Sequence, residues 1–83
     1  MSTINATVNK IIAEVSNGQL DHEAIKAQDQ LKEELALSSL QYIVMALKLE
    51  EEYGAPIITA ENIGEMNQVS DIYERIETVV NQG

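Results

Sequence analysis

The stretch 39–53 constrains the fold of this chain more than any other. Its apolar residues lie on two helical stripes. Tyr42, Ala46, Leu49 and Tyr53 are spaced 4, 3 and 4, and Leu40, Ile43, Val44 and Leu47 are spaced 3, 1 and 3. Both spacings follow the helical period and neither follows the alternation of a strand. A surface helix of a globular domain needs only one such face. Either this helix is central and nearly all buried, or part of the second stripe is exposed and binds partner proteins. Gly54 and Pro56 end the segment. Glu50-Glu51-Glu52 precede that end, where carboxylates oppose the helix dipole; this favours a role in partner contact over one in helix stability.

The rest of the chain supplies helices to pack against it. Ile4, Val8, Ile11, Ile12 and Val15 recur at spacings of 4, 3, 1 and 3, one helical face, with Ser2 or Thr3 to cap the start and Gly18 to suit the end. Lys10 and Glu14 form an i, i+4 pair in the weaker orientation. Thr59 can cap a short helix over 60–65 with Ile63 pointing inward. Ser70 can cap a last helix whose inner face is Ile72, Ile76, Val79 and Val80, with Asp71 and Glu74 near its positive end and fraying at Gln82 and Gly83. Between the first two helices, Leu20, Ile25, Leu31, Leu35 and Leu37 are scattered through polar residues. This predicts a long connection that pins its leucines into the core, with a helical turn around 22–28, because a loop this long is usually functional or carries structure of its own. Residues 56–59 are too short and too close to Pro56 for a strand. The expected fold is all-α: a four-helix bundle of three main helices and one short one, with a long loop between helices one and two, forming a single domain over 1–83. Its predicted core is Ile4, Val8, Ile11, Ile12, Val15, Leu31, Leu35, Ala46, Leu49, Tyr53, Ile63, Ile72, Ile76 and Val79.

Composition narrows the function. At 83 residues and 45% apolar the chain can fold alone but has little room for an enclosed active site. It has no cysteine, hence no disulfide or thiolate metal ligand, which fits a reducing compartment and a cytoplasmic protein. Fourteen acidic residues against 5 basic ones give a net charge of −9. That field opposes nucleic acid and anionic membranes and favours a partner with a basic patch, although simple solubility is the plainer explanation. Met1-Ser2-Thr3-Ile4-Asn5 lacks the basic and apolar regions of a signal peptide, and no stretch of about 18 apolar residues exists to insert into a membrane. Asn5-Ala6-Thr7 is then a chance glycosylation match. A monomer is expected.

Ordinary catalysis has few parts here. His22 is the sole imidazole and lies in a polar segment, so no nucleophile–base pair can be named. The carboxylates at 50–52 are consecutive, fan around the helix and cannot converge on a metal. The glycines are isolated and form no phosphate-cradling motif. Ser39 differs because of its position. At a helix N-terminus it has free backbone N–H groups and the positive end of a dipole beside it, a setting that suits an attached phosphate. Serine in such a place is most often just an N-cap. Two adjacent serines, Ser38 and Ser39, allow one to cap while the other is presented.

The run Asp29-Gln30-Leu31-Lys32-Glu33-Glu34-Leu35-Ala36-Leu37-Ser38-Ser39-Leu40 resembles the attachment region of acyl carrier proteins, which reads roughly Asp-x-x-Leu, then Asp/Glu-Leu-Gly-x-Asp-Ser-Leu. The stretch from Met45 to Gly54 looks like that family's second helix, and Ile58 through Asp71-Ile72 like its short third helix and the start of its fourth. The similarity runs collinearly over nearly the whole chain. It implies a right-handed bundle and a non-catalytic carrier. A 4'-phosphopantetheine arm from coenzyme A would be joined to Ser39 by a phosphopantetheinyl transferase, making a phosphoprotein. The arm would hold acyl intermediates as thioesters for enzymes that load and process them through basic or apolar docking patches. Partner recognition would fall to Ser38, Leu40, Gln41, Ile43, Val44, Leu47, Glu50 and Glu51. The chain departs from the family at telling places. Ser38 stands for the aspartate, Ala36 for the glycine, and Gln41 and Val44 for acids that commonly follow along the second helix. Ser38 has no charge to help order a metal ion near the incoming cofactor. The stripped acidic front implies an altered partner set, that of a specialised fatty-acid or polyketide (secondary-metabolite) carrier. The alternative from another class is an unmodified adaptor of carrier fold that binds a partner through the second-helix apolar stripe.

Overall fold

The computed structural model describes residues 3–82. Ser2 and Gly83, which the sequence assigns to a cap and a frayed end, lie outside them. The chain is all-α. Three helices, α1 (Thr3–Val15), α2 (Ser39–Tyr53) and α3 (Val69–Gln82), are joined by segments carrying 3₁₀ turns at His22–Ala24 and Ile63–Glu65. Among the described residues no strand forms, and no helix is long and apolar enough to cross a membrane.

α1 packs against both α2 and α3. The predicted stripe on α1 is its inner face, with Val8, Ile11, Ile12 and Val15 buried and Ile4 packed at the margin. The helix ends in a Schellman arrangement: Gly18 N–H donates to the Ala13 carbonyl and Asn17 N–H to the Glu14 carbonyl. The residue that first turns left-handed is Asn17 (φ 59°), followed by Gly18 (φ 81°). Lys10 makes no pair with Glu14; Glu14 instead meets Lys48 of α2 at 3.4 Å. α2 stops at Gly54 (φ 68°), whose N–H donates to the Glu50 carbonyl at 2.8 Å.

The long connection is ordered by pairing with a distant segment. Leu31 N–H donates to the Asn67 carbonyl, Val69 N–H to the Asp29 carbonyl and Ser70 N–H to the Ala27 carbonyl, all within 3.1 Å, around an antiparallel bridge between Gln30 and Gln68. This clamp sets Ile25, Leu31, Leu35 and Leu37 into the core. The radius of gyration, 11.6 Å, matches the roughly 12 Å expected of a folded chain of this length, so the connection lies on the bundle and does not loop away.

Several local expectations are corrected. Residues 60–65 form no α-helix but a turn leading into the 3₁₀ turn at Ile63–Glu65. Thr59 caps no helix, the residue at the N-cap of the 3₁₀ turn being Asn62; it closes the preceding turn instead, in a reciprocal pair in which Thr59 N–H donates to Asn62 Oδ1 and Asn62 N–H donates to Thr59 Oγ1. The space between Thr59 and the buried Met66 is too short to repay helix nucleation, and Gly64 lies within it. The tighter turn presents Met66 to the core and leaves Ile63 44% exposed. Ser70 does not cap α3. Asp71 does so from the third position, its carboxylate accepting the N–H groups of Asn67 and Gln68 at 3.0 and 2.9 Å. Val80 is half exposed because burial falls off along the last turn of α3, although the helical backbone continues through Gln82.

Candidate functional site

The two serines at the mouth of α2 have separate roles. Ser38 is the N-cap: Gln41 N–H donates to its Oγ at 3.2 Å, and its own N–H donates to Gln41 Oε1 at 2.8 Å, a full capping box. Gln41 also donates through Nε2 to the Val15 carbonyl at 3.2 Å, tying the start of α2 to the end of α1. A carboxylate at 41 could complete the box but has no proton to give Val15. Gln41 is therefore half-buried and largely occupied by the fold, which limits what it can offer a partner. The pattern Ser-x-x-Gln was itself a legible signal for this box.

Ser39 occupies the first helical position, exposed, with its hydroxyl outside the cap. Of the leading N–H groups of α2, those of Ser38 and Gln41 are taken by the box, and those of Ser39 and Leu40 make no hydrogen bond within the protein. Just before it, Ala36 adopts a left-handed conformation (φ 55°), the conformation glycine takes most easily. Leu35 and Leu37 flank Ala36 and are both buried, their N–H groups held by the Gln30 and Leu31 carbonyls. That anchoring forces the unusual turn and delivers Ser38 and Ser39 to the helix mouth.

Ser39 opens onto a groove of about 610 Å³ between α2 and the 59–66 segment, lined by Lys32, Leu37, Tyr42, Ile43, Ile63 and Gly64. This is within the ~300–1,000 Å³ range of small-molecule sites. The corrected position of Ile63 is what gives the groove its far apolar wall.

The second stripe of α2 is exposed. Leu40 is 69%, Ile43 56%, Val44 36% and Leu47 58% accessible, so the helix is not nearly all buried. Its buried face is Tyr42, Met45 and Leu49, with Ala46 and Tyr53 at the margin. Met45 is fully buried and missing from the predicted core, although its spacing from Tyr42 and Leu49 (3 and 4) marks the same face. Glu50 and Glu51 are exposed at the far end of the stripe, beside an open depression of about 690 Å³ that Val44 and Leu47 also line.

His22 is exposed and remote in sequence from this mouth. With Asp21 and Glu23 it brings ligand-type atoms within 4.8 Å, but Asp21 is used as a cap, accepting Glu23 N–H. Polar contacts within the core include Tyr42, whose hydroxyl donates to the Met66 carbonyl, and Tyr73, whose hydroxyl donates to Asn9 Oδ1. Burial pushes both phenols above their ordinary pKa. For Tyr73 the Asn9 bond works against the rise and the nearby Asp29 adds to it. In comparisons with known proteins, no protein-family model matches the chain, and no curated protein matches it either.

Proposed function

We propose that this protein is an acyl carrier of the four-helix carrier type, with Ser39 as the attachment point of a 4'-phosphopantetheine arm. The observation that carries the proposal is the division of labour at the mouth of α2: Ser38 caps, and Ser39 is exposed beside uncommitted backbone N–H groups. The surroundings fit such a group. A phosphate ester on Ser39 would meet the positive end of the α2 dipole, and the adjoining groove offers apolar walls to what the arm carries. The arm would supply the reactive thiol that holds acyl groups as thioesters, and the chain would supply presentation and recognition. Support also comes from Ala36: the turn adopts a left-handed conformation at the position where the carrier motif has glycine. In this proposal the 3₁₀ turn at Ile63–Glu65 stands in for the short third helix and α3 for the fourth.

Recognition would rest on the exposed apolar stripe Leu40, Ile43, Val44 and Leu47 with Glu50 and Glu51 at its end. This suits enzymes whose docking face is apolar with a basic margin, and hence a specialised fatty-acid or polyketide pathway. The same exposure favours one other function, an unmodified adaptor. Two measurements separate them. Incubation with coenzyme A and a broad-specificity transferase should add the mass of one phosphopantetheine unit, and the addition should vanish in Ser39→Ala. If several transferases add nothing, while a stable partner complex forms and is lost in Val44→Asp or Leu47→Ala, the adaptor stands and the carrier falls.

A further inference from the structure

Tyr42 sits where the groove beside Ser39 meets the core. Its side chain lines the groove with Leu37, Ile43 and Ile63, yet it is only 4% exposed, so most of the ring lies inside the bundle. One turn further along α2, on the same face, Met45 is fully buried. The phenol hydroxyl donates to the Met66 carbonyl at 3.5 Å, so the ring spans from α2 to the end of the segment that forms the opposite wall. Met66 itself is buried at the end of that segment. The ring therefore belongs both to the lining of the groove and to the packed core that Met45 and Met66 help to form.

We propose that Tyr42 is the depth-limiting residue of this groove. An alkyl or thioester chain tethered at Ser39 lies along Leu37, Ile43 and Ile63 and is kept out of the space around Met45 and Met66. This rests on Ser39 being the point of attachment, and it specifies what the carrier proposal leaves open. The cargo is either short enough for the outer groove or keeps its far end in solvent, where a docked enzyme can reach it without extracting it from the core.

The chain has no cysteine, so Ser39→Cys creates a single thiol to which methyl, butyl and octyl methanethiosulfonates attach as disulfides with loss of methanesulfinate. No transferase or arm is needed, so a failure of the carrier proposal leaves this test readable. Met45 and Met66 report through their ¹³C-methyl signals. With Tyr42 present, lengthening the chain from butyl to octyl should shift the methyls of Ile43 and Ile63 and leave those of Met45 and Met66 in place. Adding Tyr42→Leu should let the octyl chain shift both methionine signals, while Tyr42→Phe, which keeps the ring, should not. Octyl-induced shifts at Met45 and Met66 with Tyr42 intact would overturn the proposal, as would unmoved methionine signals in a folded Tyr42→Leu protein. If Tyr42→Leu does not fold, the Tyr42 and Tyr42→Phe proteins still decide it: silent methionines in both support the stop, and shifts in either refute it.

Discussion

Replacing Ser38 with alanine removes the acceptor for Gln41 N–H and should lower stability by about 1 kcal/mol in chemical denaturation, the usual cost of losing a serine cap. Ser39→Ala removes a hydroxyl with no part in the cap and should stay within about 0.5 kcal/mol of the parent. Equal losses at the two positions would contradict the division of labour between them. Ala36 offers a test of the opposite sign. A non-glycine residue in the left-handed region carries a steric cost of about 1–2 kcal/mol, part of which glycine returns as unfolded-state entropy. Ala36→Gly should therefore stabilise the protein by about 0.5–1 kcal/mol, read as a raised denaturation midpoint. A capping serine at 38–39 and the stop at Gly54 were legible because capping is local chemistry. The bond from Gln41 to Val15 was not, because it depends on how two helices cross.

At the scale of elements, the two faces of α2 should respond very differently. Leu49 is fully buried, and Leu49→Ala should cost about 2–5 kcal/mol. Leu47→Ala on the exposed stripe should fall within about 0.5 kcal/mol by the same measurement. A large loss at Leu47 would mean that the stripe is structural and not available to partners. The helices themselves were readable from periodicity: α1 buries Val8, Ile11, Ile12 and Val15 of its predicted stripe, and α2 buries Tyr42 and Leu49 of its seam, with Met45 in place of Ala46 and Tyr53, which stay at the margin. Between them, the buried Ile25, Leu31, Leu35 and Leu37 and the turn at His22–Ala24 were readable too, but the path of the connection was not. The connection over 16–38 owes its path to backbone bonds with 67–70, which leave no trace in side-chain pattern. Ile63 was misplaced because a 3₁₀ turn rotates the register that an α-helix would impose. The groove beside Ser39 was therefore invisible to sequence reasoning, although the serine itself was not.

For the whole molecule, charge and burial set the response to solution conditions. A net charge of −9 on 83 residues repels itself, and salt screens that repulsion. Raising ionic strength should increase Tm by several degrees, since about 1 kcal/mol corresponds to ~4–8 °C in a domain this small. The buried phenols act at the alkaline end. Tyr42 and Tyr73 have folded-state pKa values raised by burial, so the folded state holds those protons more tightly than the unfolded state. Their contribution is fully present below the ordinary phenol pKa of 10.0 and is lost as pH rises through the folded values. Stability should thus fall above that pH in step with phenolate absorbance, and the fall should be shallower in Tyr73→Phe. The central claim is that this acidic bundle exists to present one hydroxyl. It is tested most directly by intact-protein mass after incubation with coenzyme A and a transferase, with the parent, Ser38→Ala and Ser39→Ala proteins side by side. The account predicts one phosphopantetheine unit on the parent and on Ser38→Ala and none on Ser39→Ala. An added unit that survives in Ser39→Ala, or no addition to the parent with any of several transferases, would contradict it.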